Sequence, residues 1–141
     1  MWTGCCTNLR LFTVVVWLGV LANWSFAVWA IFLNTDSLLR TFNLGAVDST
    51  VWIYNYSVLL AILSCFYIPA AHDPYRYRAN AWLLIVARLI PAGTFFIGVA
   101  MGYMPAGFAR LGIGDATFGI IELFLLVRLL HDAENVVPAP V

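Results

Sequence analysis

The stretch A-N-A-W-L-L-I-V-A-R-L-I-P-A-G-T-F-F-I-G-V-A-M-G-Y-M, from Ala79 to Met104, decides the fold. About 20 apolar residues carry a helix across a bilayer, and this run exceeds that length with Arg88 as its one charged residue. A guanidinium in hydrocarbon is costly by about 2.5 to 3.5 kcal/mol or more, so Arg88 must face a partner, a cavity or a site. Glu122 poses the same problem inside the apolar run I-I-E-L-F-L-L-V.

Three further segments surround that stretch with the same character. The expected spans run from Leu11 to Leu33, Thr50 to Ala71, Ala79 to Met104 and Asp115 to Leu130. The predicted fold class is therefore all-α: an integral membrane bundle of four transmembrane helices, antiparallel and up-down, forming one domain over residues 1–141. Composition agrees, since 63% of the 141 residues are hydrophobic and 10% charged, against about half and about a quarter in soluble domains. Arg10 before an apolar run that ends V-W-A resembles a signal peptide, but the run is too long, and it reads as a span.

Formal charge is zero and all seven cations are arginines, with no basic cluster, which excludes a nucleic-acid partner. Cys5, Cys6 and Cys65 form no C-x-x-C or Cys/His spacing, so no metal is expected, and the adjacent Cys5 and Cys6 read as two reduced interfacial thiols. Arg10, Arg76, Arg78 and Arg128 fall on one side of the spans, against Arg40 and Arg110 on the other. The arginine bias predicts both termini in the cytoplasm, with a bacterial inner membrane as the expected location.

The connectors are short. S-L-L-R-T-F-N, within residues 34–49, reads as an amphipathic turn in the interface or as a plain connector. Pro69 and Pro74 bracket the turn at His72 to Arg78. Asp115 follows Gly114 and is expected to cap the fourth helix. The tail, residues 133–141, carries two prolines without pattern and is expected to be flexible. Trp2, Trp29, Trp52, Tyr75, Tyr77 and Tyr103 lie near span ends as interfacial anchors.

Counting at 1.5 Å of rise per residue puts Arg88, nine residues after Ala79, and Glu122, eight before Leu130, at a common depth of roughly 12 to 14 Å. They form a candidate buried pair. Trp17 and Ser64 fall near the same layer, and Tyr54, Ser57, Ala61 and Ser64 share one helix face, which makes Trp17, Ser64, Tyr54 and Ser57 candidate neighbours of a ligand. Pro91 has no N–H for the carbonyl of Ala87, beside Arg88. Gly98-x-x-x-Gly102 is a candidate packing motif, and Asp115, Gly119 and Glu122 share an inward face. Asn23 reads as an interhelical hydrogen-bonding group.

Two roles fit the pair. The first is structural: Arg88 and Glu122 neutralise one another and set helix register. In the second, Arg88 holds an anionic headgroup, a carboxylate or a quinone oxygen, with Glu122 orienting it or relaying a proton. His72 and His131 fall at span ends rather than inside, which disfavours mid-membrane haem ligation. No nucleophile-base set and no nucleotide or zinc-protease motif occurs, so an enzyme is not the expectation.

The segments S-C-F-Y-I-P-A-A-H-D-P-Y-R-Y-R-A-N-A-W-L, A-R-L-I-P-A-G-T-F-F-I-G-V-A-M-G and G-D-A-T-F-G-I-I-E-L-F-L-L-V resemble small bacterial four-span proteins of the DoxX-like kind, over roughly Ser64 to Val127. That resemblance implies association with quinone-linked sulfur oxidation or redox assemblies. Three functions follow as expectations. One is an accessory or scaffold subunit of a larger membrane complex, or a homo-oligomer. Another is a quinone- or lipid-binding protein built on Arg88 and Glu122. The third is a small proton-coupled transporter using Glu122.

Overall fold

The computed structural model describes residues 3–45 and 50–134, with the side chains of Thr3, Cys5, Cys6 and Glu134 left aside. Trp2, residues 46–49 of the connector and the tail from residue 135 lie outside the described residues. Every element among the described residues is helical: α1 (Thr3–Val28), a π-helical turn (Trp29–Leu33), α2 (Thr35–Phe42), α3 (Val51–Cys65), α4 (Tyr67–His72), α5 (Arg78–Ala100) and α6 (Gly107–Glu134). Three helical segments, Thr7–Leu33, Val51–His72 and Arg78–Ala100, are long and apolar enough to cross a membrane. Large apolar side chains such as Phe32, Trp52, Leu59, Ile90 and Ile97 stand on the outer surface, as lipid contact requires.

The breaks between helices have local causes. At the end of α1 the Asn34 N–H reaches back five residues to the Trp29 carbonyl at 3.2 Å, widening the last turn, while the Thr35 hydroxyl donates to Ala30 O at 2.7 Å. Asn34 is itself extended, and its side chain accepts from the Ser37 N–H at 2.9 Å, capping α2. Asn43 closes that helix in the left-handed conformation. The S-L-L-R-T-F-N segment is thus a docked helix, with Leu38 and Leu39 buried in a small core beside Ala30 and Leu44.

Pro69 acts one turn before the expected place. Lacking an N–H, it cannot satisfy the carbonyl of Cys65, so the second segment breaks at Phe66 into α3 and α4, and Asn80 donates to the Phe66 carbonyl at 2.9 Å. Pro91, by contrast, sits inside an unbroken α5.

Two expectations about helix ends need correction. α6 begins at Gly107, so Asp115 lies two turns inside it and is not its cap. Gly112 and Gly114 do not end the helix; a side chain at Gly112 would meet the Ala92 carbonyl and the Phe95 Cβ at 3.3 Å, so its absence permits close approach to α5. Gly98-x-x-x-Gly102 is not an interhelical seam. Gly102 has φ +76° and ends α5, with Tyr103 and Gly102 donating to the carbonyls of Gly98 and Val99, and Gly98 is covered by Met104 of the same chain. α6 also extends to Glu134, taking in the first two residues of the expected tail.

α5 packs along α6, while α1 packs against α3, α4 and α6. The larger core joins the middle of α1 (Phe12, Val16, Val20), α4 (Tyr67, Ala70, Ala71), the start of α5 (Ala81, Leu84, Ile85) and the end of α6 (Leu125, Leu126, Leu129). The smaller core lies around α2. Arg88 and Glu122 are buried with these cores.

Candidate functional site

Arg88 is the hub of the site. It projects from the middle of α5 toward one face of α6 on which Gly112, Asp115, Gly119 and Glu122 recur at helical spacing. Gly119 lets α5 come near, since a Cβ there would meet Leu89 and lie 3.3 Å from the Arg88 Cβ. The guanidinium Nε lies 3.2 Å from Glu122 Oε2, and Nη1 donates to Asp115 Oδ1 at 3.2 Å. Arg88 is 3% exposed, Glu122 0% and Asp115 24%, so two carboxyl groups flank one cation, one wholly buried and one reaching the surface.

The remaining sides of the guanidinium are defined by groups that composition does not flag. On α1, Gly19 leaves the space that Nη2 enters; a Cβ at position 19 would overlap Nη2 and lie 3.1 Å from Cζ. The plane of Arg88 lies over the Phe118 ring at 4.9 Å and near the Tyr67 ring at 5.8 Å, within cation–π range. Arg88 Nε and Nη2 and both Glu122 oxygens lack aligned hydrogen bonds. The Arg88–Glu122 contact is therefore a close ion pair rather than a bidentate fork, and the buried charges are incompletely satisfied.

Asn23 and Ser64 join α1 to α3 next to this cluster. Asn23 Nδ2 donates to Ser64 Oγ at 2.9 Å, and Ser64 in turn donates to the Leu60 carbonyl at 2.8 Å. Ser57 is buried on the same face, its hydroxyl without a hydrogen bond. Two of the expected neighbours belong elsewhere. Trp17 is 40% exposed, because it lies two residues, about 200° of helix rotation, from Gly19, the position that faces Arg88. Tyr54 is also 40% exposed and is absent from the cavity lining, where Tyr56, itself 41% exposed, stands instead.

That cavity has a volume of about 340 Å³ and is half-open. Its floor is Asn23, Arg88 and Asp115, and its walls include Phe26, Trp29, Phe42, Tyr56, Leu60 and Phe118, with Arg110 and Gly114 also on its lining. A second space of about 200 Å³ is lined by Leu59 and Leu63 of α3, Tyr67, and Ala87 and Pro91 of α5. The two share Asn23, Tyr56, Leu60, Arg88 and Asp115. They meet at the ion cluster. Below Glu122 the larger core is filled by apolar side chains, among them the fully buried Leu126, Leu129, Val16 and Phe12.

His72 and His131 are both exposed, away from the cavity lining. Comparison with protein-family models, with curated proteins and with solved structures finds no match.

Proposed function

We propose that this chain is a four-span membrane protein that binds a small amphiphile inside its helix bundle, with the ligand's polar end at the Arg88–Asp115 pair. In this reading α6, 28 residues or about 42 Å long, is the fourth span. Its charged residues are tolerated because Asp115 and Glu122 turn toward Arg88. The helices run antiparallel with both termini on the cytoplasmic side, following the arginine bias of the connectors.

The observation that carries it is the 340 Å³ cavity closing on a buried, incompletely satisfied ion cluster. A pair that only sets helix register needs no cavity beside it. An apolar, aromatic-lined pocket with a few convergent polar groups has the form of a ligand site.

The test is to purify the protein in mild detergent and identify retained small molecules by mass spectrometry. Gly114 lines the cavity with open space around its Cα, so Gly114→Trp fills the space without disturbing the core. A hydrophobic molecule retained by the unaltered chain and lost in Gly114→Trp supports the reading. Stoichiometric protein subunits with no retained small molecule would replace it with the accessory-subunit reading.

A further inference from the structure

We infer that the ligand's polar end is positively charged, so that the cavity takes a lipophilic organic monocation; this rests on the binding reading above and names its ligand class. Three observations lead there, the first being charge. Arg88 faces two carboxyl groups, each 3.2 Å away, and the cluster sums formally to one negative charge. The sum sits where Arg88 is 3% exposed and Glu122 fully buried, a place where salt and water screen little and an uncompensated charge is costly. A bound monocation brings it to zero. An anion would double it. Arg110 also lines the cavity but is exposed, so solvent screens its charge.

The second observation is the direction of the donors. The three nitrogens of Arg88 are turned toward protein: Nη1 to Asp115, Nε to Glu122 and Nη2 to Gly19. Trp29, Tyr56 and Arg110 also carry donors on the lining, but the charged group that joins the buried cluster to the surface is the Asp115 carboxylate. Its Oδ1 is the atom engaged by Arg88.

The third is the wall. Phe26, Trp29, Phe42, Tyr56 and Phe118 line the same space. The Phe26 ring is 5.9 Å from Phe42 and 6.2 Å from Tyr56, and Trp29 is 6.3 Å from Phe42, so these four rings form a continuous surface. Aromatic faces attract cations within about 6 Å and more strongly where water is excluded. A carboxylate at the base of an aromatic enclosure matches a delocalised or alkylated cation with an apolar body.

Three aryl probes separate the alternatives on the unaltered, full-length protein in mild detergent: tetraphenylphosphonium, a cation; tetraphenylborate, an anion of nearly the same size; and triphenylphosphine oxide, a smaller neutral acceptor with one phenyl ring fewer. Binding is measured by equilibrium dialysis against protein-free detergent. Tetraphenylphosphonium is expected to bind saturably and about tenfold or more tighter than either other probe, the scale of one hydrogen bond or ion contact to a charged group. Asp115→Asn is expected to remove most of that preference. The three-probe comparison does not depend on that variant folding. Equal or tighter saturable binding of the oxide or the borate overturns the charge assignment and leaves the cavity reading standing. Saturable binding of none of the three overturns both.

Discussion

Gly19 on α1 and Arg88 on α5 occupy one another's space: the guanidinium fills the volume that any side chain at position 19 would need. Arg88 is pinned by Glu122 and Asp115, so it cannot swing away without separating two ion contacts. Gly19→Ala is therefore expected to destabilise the bundle by about 1–3 kcal/mol, the cost of overpacking. The check is the thermal midpoint in detergent. An unchanged midpoint would show that the guanidinium has another resting place.

Removing Arg88 leaves the buried Glu122 carboxyl without its cation. Arg88→Met is expected to cost about 3–5 kcal/mol, and adding Glu122→Gln to it to restore a large share of the loss. A double-mutant cycle on unfolding free energy measures the coupling. Additive losses would mean that Arg88 and Glu122 are not coupled.

Glycines on α5 and α6 should respond in opposite directions. A Cβ at Gly107 would overlap the backbone carbonyls of Phe42 and Asn43, which cannot yield as a side chain can. Gly107→Ala should lift α2 from the start of α6 and lower stability by about 1–3 kcal/mol. Gly93, in the middle of α5, has no atom within 4 Å of a built Cβ. Gly93→Ala is expected to stabilise by about 0.5–1 kcal/mol, because alanine loses less backbone entropy in a helix. Equal effects of the two changes on the thermal midpoint would contradict the docking of α2.

The cavity is expected to open to one side only. With Cys5, Cys6 and Cys65 replaced by serine, Gly114→Cys should react with a membrane-impermeant thiol reagent added outside cells, and Leu126→Cys, in the packed core, should not. Labelling of Leu126→Cys at a comparable rate would mean that water reaches the bundle past Glu122. Labelling of Gly114→Cys from the cytoplasmic side alone would reverse the proposed orientation.

Much of the fold was legible because helices in a membrane must satisfy their own backbone and therefore advertise themselves as long apolar runs. The joint depth of Arg88 and Glu122 could be counted because rise per residue is constant along a helix. Asp115 was misread for a specific reason. A glycine before an acid looks like a helix start, but Gly112 and Gly114 lie inside α6, where Gly112 admits the close approach of α5. The inward face shared by Asp115, Gly119 and Glu122, already legible in the sequence, argues against a cap, and Gly112 extends it by one more turn. Trp17 was placed by depth alone, and depth does not specify rotation about the helix axis.

By itself the sequence determined the class of environment, the helical character and the two charges that had to find partners, since each follows from local composition and from distance along one chain. Tertiary structure alone decided that Arg88 has two carboxylate partners, that Gly19 makes room for it and that Phe26, Trp29, Phe42, Tyr56 and Phe118 gather around Asp115. Those facts depend on how each helix is rotated and how near its neighbour comes. Packing between segments far apart in sequence sets both quantities.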